Sequence, residues 1–275
     1  MNGHYVLIDY GSHGGWHGHR DKLSIEVVTP NGAVFEDPGT VRYSLPASND
    51  WYRSSYAHNT ISIGDEEQEE MEGYLVESFH SSEGSVVVAG FHDNKRNITV
   101  ERSLVVLSID NGILIFDVFR VYTLSDLSLS RTYHYRNGPV IENISSENSS
   151  SILPVPAKDY ATLKQYIPNN SDYYFLNHSN SEFSSCSHFR LNPKTEIYTG
   201  FSNNVGQFVL FRDEGYNSEE IFASVHIIQS PVVDEIDIEW SDNNYSFINT
   251  SDFFIELDWN EQIPTFTKQP SIPSL

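Results

Sequence analysis

Apolar and polar residues alternate along most of this chain, as they do in strands with one face on a core and the other toward solvent. The alternation predicts strands over 5–10, 23–28, 60–63, 85–91, 98–108, 113–121, 127–135, 207–212, 221–228, 235–240, 246–249 and 253–257. These segments are rich in Val, Ile, Phe, Tyr and Thr. Turn residues bound them at Pro30-Asn31-Gly32, Asp110-Asn111-Gly112 and Asn137-Gly138-Pro139, and the second of these predicts a hairpin. No stretch of about 12 residues places apolar side chains at helical spacing, and 66–71 reads as an acidic loop. Many short strands without a fixed repeat predict an all-β fold, a large antiparallel β-sandwich.

The 275 residues allow one large all-β domain or two small ones. Residues 143–185 are rich in Ser, Asn and Pro and read as a surface loop or linker. Strands resume to about residue 257, and 262–275, with three prolines, reads as a disordered or surface-draped tail. The expected organisation is one sandwich domain over 1–261 with its chemistry in 1–68, followed by the Pro-rich tail.

Charge narrows the partners. With 38 acids against 16 bases the net charge is −22, which argues against nucleic acid and anionic membrane. It also argues against long-range attraction of a polyanion, so such a ligand would depend on local cations. The longest apolar run, 112–121, is interrupted by Asp117 and falls well short of the roughly 18 residues of a membrane span. The single cysteine, Cys186, excludes an internal disulfide. The chain enters a strand almost at once, with no basic n-region or apolar leader. This leaves a cytoplasmic protein or, the preferred reading, a fragment whose natural start lies upstream.

The densest chemistry lies in Gly11-Ser12-His13-Gly14-Gly15-Trp16-His17-Gly18-His19-Arg20-Asp21-Lys22-Leu23-Ser24. Glycines there allow positive φ and close backbone approach, leaving room for imidazoles to converge. Eighteen residues after His19 comes Asp37, at a strand end followed by Pro38-Gly39, and twenty-one further on comes His58. Two imidazoles and a carboxylate are the usual ligands of an open zinc site and suit other divalent first-row metals. Spacing alone leaves the alternative open, in which the His-x-His is a polar turn and the other two are unrelated surface residues.

Three strings, His13-Gly14-Gly15-Trp16-His17-Gly18-His19 with Asp21-Lys22-Leu23-Ser24, Phe35-Glu36-Asp37-Pro38-Gly39 and Tyr56-Ala57-His58-Asn59-Thr60, together resemble the C-terminal domain of the heparinase II/III-like family. That family includes heparin and heparan sulfate lyases and oligoalginate lyases, and the first string is closest to the alginate-lyase branch. The motifs cover 1–68; the remainder fits the family's fold without adding motifs. The resemblance implies a sandwich of the supersandwich type. It implies that His19, Asp37 and His58 bind Zn2+ or another divalent metal in a structural role, and that His17 faces substrate and takes part in catalysis. It also implies an N-terminal α/α toroid that supplies a catalytic Tyr and an Asn or His, which this chain does not contain.

The expected function is therefore a polysaccharide lyase domain that cleaves uronate-containing acidic polysaccharide, of alginate or heparin/heparan type, by β-elimination. The missing α/α domain is its expected partner and the periplasm or exterior its expected location. The alternative is a non-catalytic, metal-stabilised carbohydrate-binding or structural fragment. Tyr43, Tyr52 and Arg53 are candidates for a sugar groove, though ordinary packing accounts for each. Asp21 reads as a supporting carboxylate and His13 as packed in the glycine loop. His80, His92, His134, His178, His188 and His226 read as isolated, and Cys186 as unactivated.

Overall fold

A computed structural model of the chain describes residues 3–109, 112–136 and, with short gaps, most of 140–270. Three antiparallel sheets make up the fold. The first runs, in spatial order, through Tyr5–Ile8, Ile25–Thr29, Gly32–Phe35, Leu127–Tyr135, Gly206–Tyr216, Glu196–Ser202, Ala161–Pro168 and Ile144–Ser150, with Ile61–Ile63 also paired to Leu127–Tyr135. The second runs through Val140–Ile141, Tyr173–Ser179, Ser184–Arg190, Glu219–Gln229, Gly112–Tyr122, Ile98–Ile109, Gly84–Asp93 and Gly73–His80. The third is a meander of Asp237–Trp240, Tyr245–Asn249, Phe253–Asp258 and Thr265–Pro270. Helical geometry among the described residues is confined to turns of three to five residues, so the sandwich expectation holds.

The strand period of two explains how three layers share their cores. In Gly206–Tyr216, Val209 and Phe211 face the second sheet, while Phe208 and Leu210 face outward beneath Trp51, Tyr56 and Ala57. In Ile98–Ile109, Leu104 and Val106 join that inter-sheet core, while Val105 and Leu107 pack with Ile248, Ile255 and Leu257 of the third sheet and with Trp259 just after Phe253–Asp258. A sheet covered on both faces reads as a nearly continuous apolar run. That is why 112–121 looked so apolar: Leu114 and Phe116 point one way, Ile113 and Ile115 the other.

Two organisational expectations are corrected. Residues 143–185 are not a linker, since Ile144–Ser150, Ala161–Pro168 and Tyr173–Ser179 fall within them and complete both large sheets. Ser- and Asn-rich segments become strands there because β-propensity is set mainly by the neighbours a strand meets. The tail is not draped either: Thr265–Pro270 pairs along Phe253–Asp258 in register, Phe253 opposite Pro270 and Asp258 opposite Thr265. The ordered sandwich therefore runs past residue 261; residues 271–275 lie outside the described set. Alternation also missed Gly32–Phe35, Gly73–His80, Ser184–Arg190 and Glu196–Ser202. The predicted hairpin forms with Ile109 opposite Gly112, its two turn residues being outside the described set.

Candidate metal centre and its exposed histidine face

Three segments of the first sheet's near edge build the site. The glycine loop leaves Tyr5–Ile8, carries His13, His17, His19 and Asp21, and returns as Ile25–Thr29. Gly14 and Gly15 take φ of 80° and 62°, which turns the loop sharply around Gly15–His17. Gly18 is needed for a different reason: a Cβ there would fall 1.6 Å from the His13 carbonyl oxygen. Asp37 follows the end of Gly32–Phe35, and its Oδ1 accepts from the Gly39 amide at 2.7 Å, the turn that Pro38-Gly39 announced. His58 closes the short turn Ser55–Ala57, three residues before Ile61–Ile63.

His58 stands beside each of the other two expected ligands. His58 Nδ1 lies 2.8 Å from Asp37 Oδ2, and the His19 and His58 rings are 5.2 Å apart. His58 is fully buried; His19 and Asp37 are half-buried. Among the described residues, the group whose ligand atoms all lie within 4.8 Å of one another is His19, Asp21 and His58, so it holds Asp21, expected as a supporting carboxylate, and not Asp37. Asp21 Oδ1 additionally accepts from Lys22 Nζ at 3.2 Å.

Electrostatics show that this donor set suits a cation. His58 Nε2 lies 3.1 Å from the Tyr52 carbonyl, which can only accept, so that nitrogen carries a proton. Nδ1 then faces the Asp37 carboxylate, and a bare lone pair there would be repelled. The pair needs either a second proton on His58 or a cation between the two. Without a cation the proton wins: burial alone would push the His58 pKa down, but the bond and charge of Asp37 override it and raise it. Burial would likewise raise Asp37, yet His58 holds it below the usual carboxylate range. His19 is pushed down, first by burial and then by His58, which keeps its imidazole neutral and able to ligate. Ligands of one tetrahedral zinc stand roughly 3.3 Å apart, so the 2.8 Å contact would open by about half an ångström to admit the ion.

His17 points elsewhere. It is exposed and shares a 2.7 Å hydrogen bond, Nδ1 to Oη, with the exposed Tyr43. Trp16, 90% exposed, stands beside it. Arg42, next to Tyr43, is exposed and has no carboxylate partner among the described residues. Arg53 donates Nε–H to the Gly18 carbonyl at 2.8 Å and Nη1–H to Asn49 Oδ1, so it braces the loop. Tyr52, once a groove candidate, is buried with Trp51 and Tyr56 and serves the site through its carbonyl.

Other readings are settled by contacts. His13 is buried against the loop, near Glu70 and Glu72. His134 is buried beneath the His58 turn, donates to the Tyr56 carbonyl, and is pushed down by burial to about 3. His226 is buried between Ser187 and Ser224. His80 and His92 bond to Ser85 and Thr99 at the surface; the His178 side chain lies outside the described set. Cys186 does have a histidine neighbour, contrary to expectation: His188 Nε2 is 3.2 Å from its sulfur, because residues two apart on Ser184–Arg190 share a face. Sequence reasoning gave no role to Gln68, Asn59 or Arg102, whose side chains hold the site's backbone together. Asn59 alone donates to the Ile25 and Glu36 carbonyls and accepts from the His134 amide.

Comparison with known proteins gives the family and the fold. Residues 1–230 match the family described as heparinase II/III-like, C-terminal. No curated protein matches the chain by sequence. Among solved structures, a heparinase III, the BT4657 gene product, superposes with a TM-score of 0.64 at 12% identity, over 98% of this chain and 41% of its own. A mutant of heparan sulfate lyase HepC from Pedobacter heparinus superposes with a TM-score of 0.58 at 12% identity, over 96% of this chain and 39% of its own. At such identity the likeness is one of fold, and the chain spans about two fifths of the length of either structure. A family match over most of the chain, on a sandwich whose signature histidines converge, gives the assignment: the chain belongs to the heparinase II/III-like family, whose C-terminal domain it carries.

Proposed function

We propose that this chain is the metal-bearing sandwich of a lyase that cleaves uronate-containing polysaccharide by β-elimination. The observation that carries the reading is the exposed His17–Tyr43 pair, whose histidine sits on the same loop as His19. β-Elimination needs three tasks done at one sugar: neutralising the uronate carboxylate, removing the C5 proton and protonating the leaving O4. The first is electrostatic stabilisation of the developing enediolate; the others are acid–base steps suited to His and Tyr. His17 has the exposure and the phenolic partner to move a proton at its ring nitrogen. Arg42, next to Tyr43 in the chain, brings an exposed cationic charge with no carboxylate partner among the described residues. On a chain of charge −22, that local cation is what an acidic sugar would meet.

The metal would be held by His19, Asp37 and His58, with Asp21 in reach of the same point. Zinc, when bound, would supply a fixed positive charge cross-linking three separate segments. The exposed His17–Tyr43 pair would carry the proton steps. Alginate-type chains, which carry carboxylates without sulfates, fit the acidic surface better than heparan-type chains. An α/α domain of the kind expected from the sequence would complete the groove, and a periplasmic or secreted location would bring the protein to its polymer.

A second reading, a binding module without catalysis, is favoured by the acidic composition. Incubation with alginate and with heparan sulfate, followed by ultraviolet absorbance and mass analysis, separates the two. The lyase reading expects products with unsaturated uronate ends. Binding without such ends would support the module; neither binding nor cleavage would overturn both.

A further inference from the structure

Beyond the signature residues, two buried side chains each tie the His19 arm of the site to the His58 arm. Gln68, 1% exposed, pairs with the backbone of Lys22 as a neighbouring strand would: its Oε1 accepts from the Lys22 amide at 3.0 Å, and its Nε2 donates to the Lys22 carbonyl at 3.1 Å. The same Nε2 reaches Thr60 Oγ1 at 3.2 Å and the Ile61 carbonyl at 2.8 Å. Lys22 is three residues beyond His19 and Thr60 two beyond His58. From the other side Arg102, fully buried, donates Nη1–H to the carbonyls of Leu23 and Asn59, both at 2.6 Å.

The backbone clamped in this way is unusual. Leu23 is fully buried yet has φ of 64°, a conformation that L residues other than Asn and Asp seldom adopt. Such outliers persist only where surrounding contacts over-determine them. Gln68 and Arg102 supply those contacts, together with Asp9, whose carbonyl accepts from the Leu23 amide. Neither Gln68 nor Arg102 touches a candidate ligand, so both would act only through backbone position.

We infer that Gln68 and Arg102 are positioning residues, which set the distance between the His19 and His58 arms by holding the irregular Lys22–Leu23 backbone. The inference rests on the metal-site reading for its function. Its test therefore has one arm that needs metal and one that does not.

In the first arm Co2+ serves as the probe, with Gln68→Leu compared with wild type. A small core truncation under the third sheet, Ile227→Val, is the control for general destabilisation. The expected result is a changed cobalt absorption spectrum and a 10–100-fold loss of Co2+ affinity in Gln68→Leu, the range typical when support behind a ligand is removed, with neither change in Ile227→Val. Thr60→Val, a milder change that removes one acceptor of the clamp, should shift the spectrum in the same direction if Gln68→Leu fails to fold. A folded Gln68→Leu with wild-type spectrum and affinity would overturn the inference.

If wild type takes up no cobalt, the metal-site reading fails by itself, and amide exchange in the metal-free chain decides the positioning role. Selective loss of protection at Lys22, Leu23 and Ile25 would support it. Unchanged protection there, or an equal loss throughout the sandwich, would overturn it.

Discussion

Replacing Arg102 with methionine is expected to destabilise the chain by about 3–5 kcal/mol, the cost of leaving a buried charge without its partner. Arg102 and Asp117 are both fully buried and joined by two bonds, Nε to Oδ1 at 2.8 Å and Nη2 to Oδ2 at 2.7 Å. The guanidinium also lies 4.3 Å from the Phe119 ring centroid and supplies the two backbone bonds near the site. Methionine restores much of the volume and none of the donors. Asp117 would keep the Tyr133 hydroxyl at 3.0 Å and His226 at 3.6 Å, neither a replacement for the ion pair.

The sign of the pH dependence makes this prediction sharper. Burial alone would raise the Asp117 pKa, but Arg102 overrides it and holds the carboxyl well below its usual range. In wild type that pairing stabilises the fold above the unfolded carboxyl pKa near 4, and the stabilisation is lost as pH falls below it. In Arg102→Met the unpaired carboxyl rises instead, so the folded variant takes up a proton more readily than the unfolded chain does. The gap between variant and wild type should therefore be widest near about pH 7 and shrink toward about pH 4. Urea unfolding at both pH values checks it. A loss below about 1 kcal/mol, or one that does not change with pH, would contradict the account.

His17→Ala is expected to reduce formation of unsaturated uronate ends by about 10²–10⁴-fold, the usual contribution of one positioned acid–base group. The ring is exposed and its recorded side-chain bond is to Tyr43, so unfolding stability should stay near wild type. Metal content should be unchanged as well, because His17 is not among the residues that offer a ligand atom to the cluster. This combination separates a role in chemistry from a role in orienting the loop. Equal turnover in variant and wild type would remove His17 from the mechanism. Loss of metal together with activity would make it a support for the site instead.

The positions of the chemistry were legible because the signature strings carry it in residue types that have few other uses. Two histidines around a glycine whose Cβ would strike a carbonyl, and an aspartate opening a Pro-Gly turn, have local reasons to be where they are. The nearness of Asp21 to the same point was not legible, since on paper it differs from Asp37 only by lacking a turn after it. Arg102 and Asp117 left a readable trace: they are charges inside two largely apolar strands, which also carry Glu101 and Arg120, and in the hairpin register Leu104 faces Asp117. Gln68 left none, because one amide in an acidic loop looks like any surface residue until the fold closes over it. Strands in 143–185 escaped for a related reason. The Ser-rich Ile144–Ser150 is made into a strand by pairing with Ala161–Pro168, which pairs in turn with Glu196–Ser202.

Metal content tests the central claim most directly, measured by elemental analysis on wild type, His19→Ala, Asp37→Ala and Asp21→Ala purified alike with zinc present. The account predicts about one ion per chain in wild type, lost in the His19 and Asp37 variants and retained in the Asp21 variant. A well-folded wild-type chain without metal would contradict it, and so would an ion that survives the loss of His19.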